Sequence, residues 1–330
     1  MTTKSSNYSL LQGFVGLFRL PWLWVTAIVA GALLILLFVV ANARGHFSRG
    51  IDWSFWRLGL NSAIIVYIFA ISPVTQRFLE RAIAALRPLL PQPELADRIA
   101  TYNRRGEWTA LSVAVVFALV MVQPWRSIEQ WSDLYERILS IIMFALLGLV
   151  VYGGLAGTTG LARLSRSHLR VDVFDNESLI PVARWALSMS LAFVGGTSLS
   201  VVFQPIENLR NLFSVIVYSI LIIVTVLIFF TTTWSIHGAM ASARRRELAM
   251  VRKNLSDARR QLKQHAAQGT PDATDRLYSA VAVWGIYERQ VLEASTWPFN
   301  AGIVRRLVAS TVAPAVIYLI KLLSGAGLRF

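Results

Sequence analysis

The chain has 330 residues, of which 55% are hydrophobic and only 15% charged, with a mean hydropathy of +0.54. That composition excludes an ordinary soluble globular domain and places most of the chain in lipid. The net charge of +14 is spread between apolar runs rather than gathered in one basic domain, so anionic headgroups of a lipid bilayer are the expected partner and nucleic acid is not. Cysteine is absent, which rules out disulfides, thiolate metal sites and thiol nucleophiles.

Residues 1–19 carry Leu10, Leu11, Phe14, Val15, Leu17 and Phe18 at helical spacing ahead of Arg19, Pro21 and Trp22, the pattern of a short helix in the headgroup plane. The apolar run that follows is about 20 residues long, beyond the size of a signal-peptide core, and reads as a retained first span. A hydrocarbon layer of ~30 Å needs about 20 helical residues per crossing. Runs of that size occupy 20–41, 56–74, 108–124, 138–161, 179–203 and 211–236, with a shorter seventh at 307–323. Backbone amides find no water in lipid, and the alternation of a β-barrel is missing, so the expected fold is all-α, a polytopic transmembrane bundle of six or seven spans. Trp22, Trp108, Trp125, Trp234 and Trp297 stand near the run ends as expected interfacial anchors, each able to bury a ring and wet an N–H.

Twenty-four of the 32 Lys and Arg residues fall on the side that holds the N-terminus, and the segment from Arg126 to Arg137 opposite it carries Glu129, Asp133 and Glu136. The positive-inside rule therefore predicts a multi-pass protein of the cell (cytoplasmic) membrane with its N-terminus in the cytoplasm. Between spans two and three, Phe78, Leu79, Ala82, Ile83, Leu86 and Leu89 alternate with Arg77, Arg81 and Arg87, which predicts an amphipathic helix lying along the inner leaflet. The alternative is a cytosolic helix packed on the segment that follows span six.

The division expected is 1–19 as interfacial N-terminus, 20–236 as the six-span domain, 237–296 as a cytoplasmic helical hairpin and 297–330 as a C-terminal membrane helix. The hairpin rests on two apolar seams of coiled-coil type: Leu248, Val251, Leu255, Ala258 and Leu262, then Leu277, Ala280, Trp284, Tyr287, Val291 and Ala294. Gly269 can end the first helix, while Thr270 and Pro271 suit an N-cap and first turn of the second. At the helical rise the two arms reach ~42 and ~38 Å, so the chain returns to the membrane where it left. Seams facing other subunits are the alternative, and a homo-oligomer or a membrane partner is expected.

The chemistry is sparse. All 18 acidic residues are placed outside the cores of the apolar runs, and His46, His168, His237 and His265 are scattered without ligand spacing. No catalytic motif occurs in a usable context, so neither an enzyme nor a cofactor is expected. Gly153, Gly154, Gly157, Gly195 and Gly196 suit close helix packing. Thr231, Thr232, Thr233, Ser235 and His237 form a polar tract at the inner mouth of span six, readable as a pore or vestibule lining or as hydroxyls bonded back to their own helix. Arg184 and Lys321 can line a polar cavity or snorkel, Lys321 toward the outer interface.

The segment Val171 to Asp175, with Leu179, Pro181 and Arg184, resembles part of a family of prokaryotic multi-pass membrane proteins that carries no assigned activity. So do His237 with Glu247 and Leu248, and the later stretch Trp297 to Asn300. The resemblance implies the architecture alone. In physical terms Asp175 can cap span five while Asp172 neutralises Arg170. The functional expectation is an oligomeric channel or permeation module, with a sensory or scaffolding subunit that docks a partner through its hairpin as the alternative.

Overall fold

A computed structural model describes residues 10–17, 20–43, 53–92, 94, 103–125, 130–166, 172–175, 177–204, 212–268, 271–297 and 316–321, with four single positions between 302 and 312. The elements among the described residues are all helical: α1 (Leu10–Leu17), α2 (Trp22–Ala43), α3 (Trp53–Leu86), α4 (Arg104–Val122), α5 (Trp131–Arg166), α6 (Ile180–Phe203), α7 (Leu212–Ala267) and α8 (Pro271–Glu293). Six of them, α2 to α7, are long and apolar enough to cross a membrane, and the chain is an integral, multi-pass helical membrane protein. α3 and α6 form the centre of the bundle; α2 and α5 pack on α3, α4 on α5, and α7 on α5 and α6.

The helices touch where side chains are missing. At Gly157 an added Cβ would lie 2.6 Å from the Trp185 ring, at Gly195 2.2 Å from the Tyr67 hydroxyl, and at Gly148 2.4 Å from the Ala114 Cβ. Helices in lipid gain nothing from hiding apolar surface, so this close approach, with hydrogen bonds between helices, holds them together. Tyr67 donates to the Ala192 carbonyl at 2.9 Å, and Asn61 Nδ2 donates to Ser140 Oγ at 2.8 Å. Pro73 lies inside α3 and has no N–H to offer the carbonyl of Phe69 four residues back. The indole N–H of Trp22 takes that carbonyl. Trp22 was expected as an interfacial anchor with a wetted N–H; its polar edge instead ties α2 to the proline turn of α3.

α3, α5 and α7 run ~51, ~54 and ~84 Å at 1.5 Å per residue, longer than a bilayer core. Beyond the bundle they build a second core at the end from which α7 and α8 project. Ala82 and Leu86 of α3, Leu161 and Leu164 of α5, Leu179 and Trp185 at the start of α6, and Ile236 and Met240 of α7 are buried together there. This corrects the expectation for residues 77–89. They continue α3 without a break into a 3-10 turn, Arg87–Leu89, and bury their apolar face in this core rather than lying along a leaflet. Ahead of α6, Asp175 Oδ1 accepts the N–H groups of Glu177 and Ser178 at 3.2 and 3.3 Å and caps the short turn that leads into it. Arg170, and with it the expected neutralising pair, lies outside the described residues, as do the 269–270 turn and 298–300.

The C-terminal segment meets α7 at two described residues. Trp297 stacks on His237, whereas Tyr318 packs 6.5 Å from Tyr218 between ring centroids. Those partners are 19 residues apart on α7, ~28 Å along its axis, which is about the thickness of a bilayer core. Trp297 and Tyr318 therefore meet α7 at points about one bilayer core apart.

Candidate functional site

The hairpin projects as two antiparallel helices. Val251, Leu255 and Ala258 of α7 and Val291 of α8 are buried between them, all four on the seams read from the sequence. Hydrogen bonds lock the end nearest the bundle. The Arg244 guanidinium donates to the carbonyl of Val291 at 3.0 Å and to that of Leu292, placing a cation on the last turn of α8, where the helix dipole favours it. His237 Nδ1 is 2.9 Å from the Thr296 carbonyl oxygen and its ring lies 4.1 Å over Trp297, with Trp234 edge-on to the same indole. Tyr287 donates to Glu247 Oε1 at 2.9 Å and its ring meets Phe174, 5.7 Å away. That bond to a carboxylate, helped by burial, raises the Tyr287 pKa above its ordinary 10. Phe174, His237, Glu247 and Trp297, from three separate stretches of the sequence, thus converge on this one root.

The polar tract does not share a face. At ~100° per residue Thr231 and Thr233 point to opposite sides of α7. Thr233 is fully buried and bonds back to the Phe229 carbonyl at 2.9 Å, while Thr231 is exposed. Ser235 is half-buried, His237 belongs to the root just described, and the side chain of Thr232 is outside the described residues. Arg184 is exposed although Ala183 and Trp185 beside it are buried, so it points away from the bundle interior. Lys321 donates to the carbonyls of Val201 at 2.8 Å and Val202 at 2.7 Å and to that of Gln204, closing the C-terminal end of α6 as a cationic cap. Trp108, Trp125 and Trp234 are more than half exposed, in keeping with rings that face lipid or its boundary, while Trp297 is half-buried in the root.

Farther out, Arg252, Arg259, Arg260 and Lys263 line a groove on the hairpin with Ser256 and Glu288. Arg252 pairs with Glu288 at 2.8 Å, and the other three leave the groove strongly cationic. Past Met240, α7 holds eight Lys and Arg against two acidic residues, whereas α8 is mildly acidic. The outward side of α8 also exposes Tyr278, Val283 and Ile286, at 69%, 63% and 62%. A basic surface beside solvent-facing apolar side chains suits a protein partner more than a smooth polyanion.

Reading the runs alone misses one residue. Span three was expected to begin at Trp108, leaving Glu107 outside it; α4 begins at Arg104, and Glu107 is only 4% exposed. Its Oε2 accepts the first N–H of α1, from Leu10, at 3.0 Å. A cleft of about 60 Å³ opens beside it, walled by α1, α3, α5 and α6. The signal available in the sequence was an acid next to an anchoring Trp, but its burial depends on α1 folding back, which no local pattern announces. Comparison of this chain with protein-family models, with curated proteins and with solved structures finds no match.

Proposed function

We propose that the protein is a non-enzymatic membrane subunit whose hairpin lies in the cytoplasm and docks a protein with an acidic surface. The carrying observation is the basic groove at Arg252, Arg259, Arg260 and Lys263 on an arm whose two sides are joined at the root by Arg244 and His237. Charge alone does not choose between headgroups and a partner; distance favours the partner. Lys263 lies 26 residues beyond His237, ~39 Å along the helix, against a screening length of ~8 Å in physiological salt. Headgroups at the membrane are out of electrostatic reach of the tip, whereas a docked protein is not.

The permeation reading needs Thr231, Thr232, Thr233, Ser235 and His237 to border one path. The opposite directions of Thr231 and Thr233 favour docking over it. The test is a photo-reactive amino acid at Arg259 in the full chain in its own membrane. An adduct with an acidic protein that weakens with salt, and is lost when Arg259, Arg260 and Lys263 are changed to Glu, is the expected outcome. Adducts only with a second copy or with nucleic acid, or none, would overturn the proposal.

A further inference from the structure

We propose that the Glu107 cleft is a binding site for a primary alkylammonium group. Three features specify the ligand. The first is charge: of the thirteen residues that line the cleft Glu107 alone is charged, and no Lys or Arg is among them. Arg104, a turn earlier on α4, is exposed and stays outside the lining. The second is lone-pair supply. Ser72 Oγ donates to the Ile68 carbonyl at 2.6 Å and Thr75 Oγ1 to the Ser72 carbonyl at 2.9 Å, so both hydroxyl protons are spent within α3 and the oxygens remain as acceptors. Gln76 is a further polar side chain on the same wall.

The third is the balance of the walls. Four side chains bring oxygen and seven, including Trp185 and Met189, are apolar. A hard metal ion demands about six oxygen ligands. An organic ammonium instead asks for one carboxylate, two or three acceptors and an apolar or aromatic surface for its carbons, and the indole of Trp185 is suited to that cation. The volume of about 60 Å³ admits a group of two or three heavy atoms rather than a whole metabolite. Gly153 meets no atom within 4 Å at the position of a Cβ, so this part of α5 faces open space while Gly157, one turn on, is closed by Trp185.

α1 completes the arrangement. Leu11 is part of the lining, and the N-terminus of α1 already bonds one carboxylate oxygen of Glu107, so ligand and helix share the same acid. Such a group can arrive free or as the headgroup amine of a phospholipid, and the walls recognise the shared ammonium in either.

The experiment uses the full chain in nanodiscs of phosphatidylcholine and reads the thermal unfolding midpoint. Ethylammonium chloride, compared with sodium chloride at equal ionic strength, should raise it by on the order of a few °C at saturation. Replacing part of the lipid by phosphatidylethanolamine should give the same rise without added amine if the headgroup is the source, and no rise if only the free amine enters. Glu107→Gln keeps an acceptor for the Leu10 N–H but removes the charge, and Gly153→Leu fills the cleft without touching the carboxylate. Each should abolish the response, and either one that folds suffices. No rise from either amine source, an equal rise with sodium, or a response that survives either substitution in a folded variant would overturn the assignment.

Discussion

The bundle and the hairpin are both helix pairs packed side by side, yet they are held by opposite means. Between α5 and α6 contact depends on what is absent, at Gly154 and Gly157 beneath Met189 and Trp185. Between α7 and α8 it depends on what is present, in Val251, Leu255, Ala258 and Val291. Water drives the second pair together, because each buried methylene stabilises it by roughly 0.8 kcal/mol. Lipid offers the first pair no such drive, and only contact between surfaces that fit remains. The hairpin should therefore be sensitive to removing mass and the bundle to adding it.

The largest expected effect is on the hairpin. Leu255→Ala should cost about 2–3 kcal/mol, read as faster amide exchange along α8 with the exchange of α3 and α6 unchanged. Faster exchange throughout would mean that the two regions are one cooperative unit. Next comes the bundle: Gly157→Ala should cost about 1–3 kcal/mol in thermal unfolding, because the buried Trp185 ring has nowhere to go. Gly154→Ala meets only the flexible end of Met189 and should cost less. Equal losses at the two glycines would break the comparison.

Smaller still is the proline turn of α3. Trp22→Phe strands the Phe69 carbonyl and should cost about 1–2 kcal/mol; Pro73→Ala, which restores an N–H to that carbonyl, should return most of it. A double-mutant cycle on Arg252 and Glu288, a largely exposed pair, should give about 0.5 kcal/mol. The last effect is a titration. The folded pKa of Tyr287 lies above 10, so its bond to Glu247 contributes fully below pH 10 and is lost as pH climbs through the raised value. The difference in tyrosinate absorbance between the wild type and Tyr287→Phe should have its midpoint above pH 10.

Much of the architecture was legible in the residues. Run lengths locate the six long apolar helices because a bilayer sets a minimum, and the 3, 4 spacing of Leu248 to Leu262 marks the face that α8 covers. The stretch after Gln76 was legible as amphipathic but not as to its cover, since a leaflet and the core formed by Leu161, Leu179 and Met240 bury the same side chains. Lys321 read as a cation near an interface; that it caps α6 depends on a helix more than a hundred residues earlier. Glu107 was hidden for the same reason, because its partner, the N–H of Leu10, is remote in sequence. Local periodicity reports which face is apolar, and long-range contacts decide what a lone polar atom meets.

α7 runs from Leu212 to Ala267 with no proline and a single glycine, Gly238. One uninterrupted helix thus carries the distal tip, the contacts at His237 and Arg244, and Tyr218, whose ring packs on Tyr318 three residues before the Lys321 clasp.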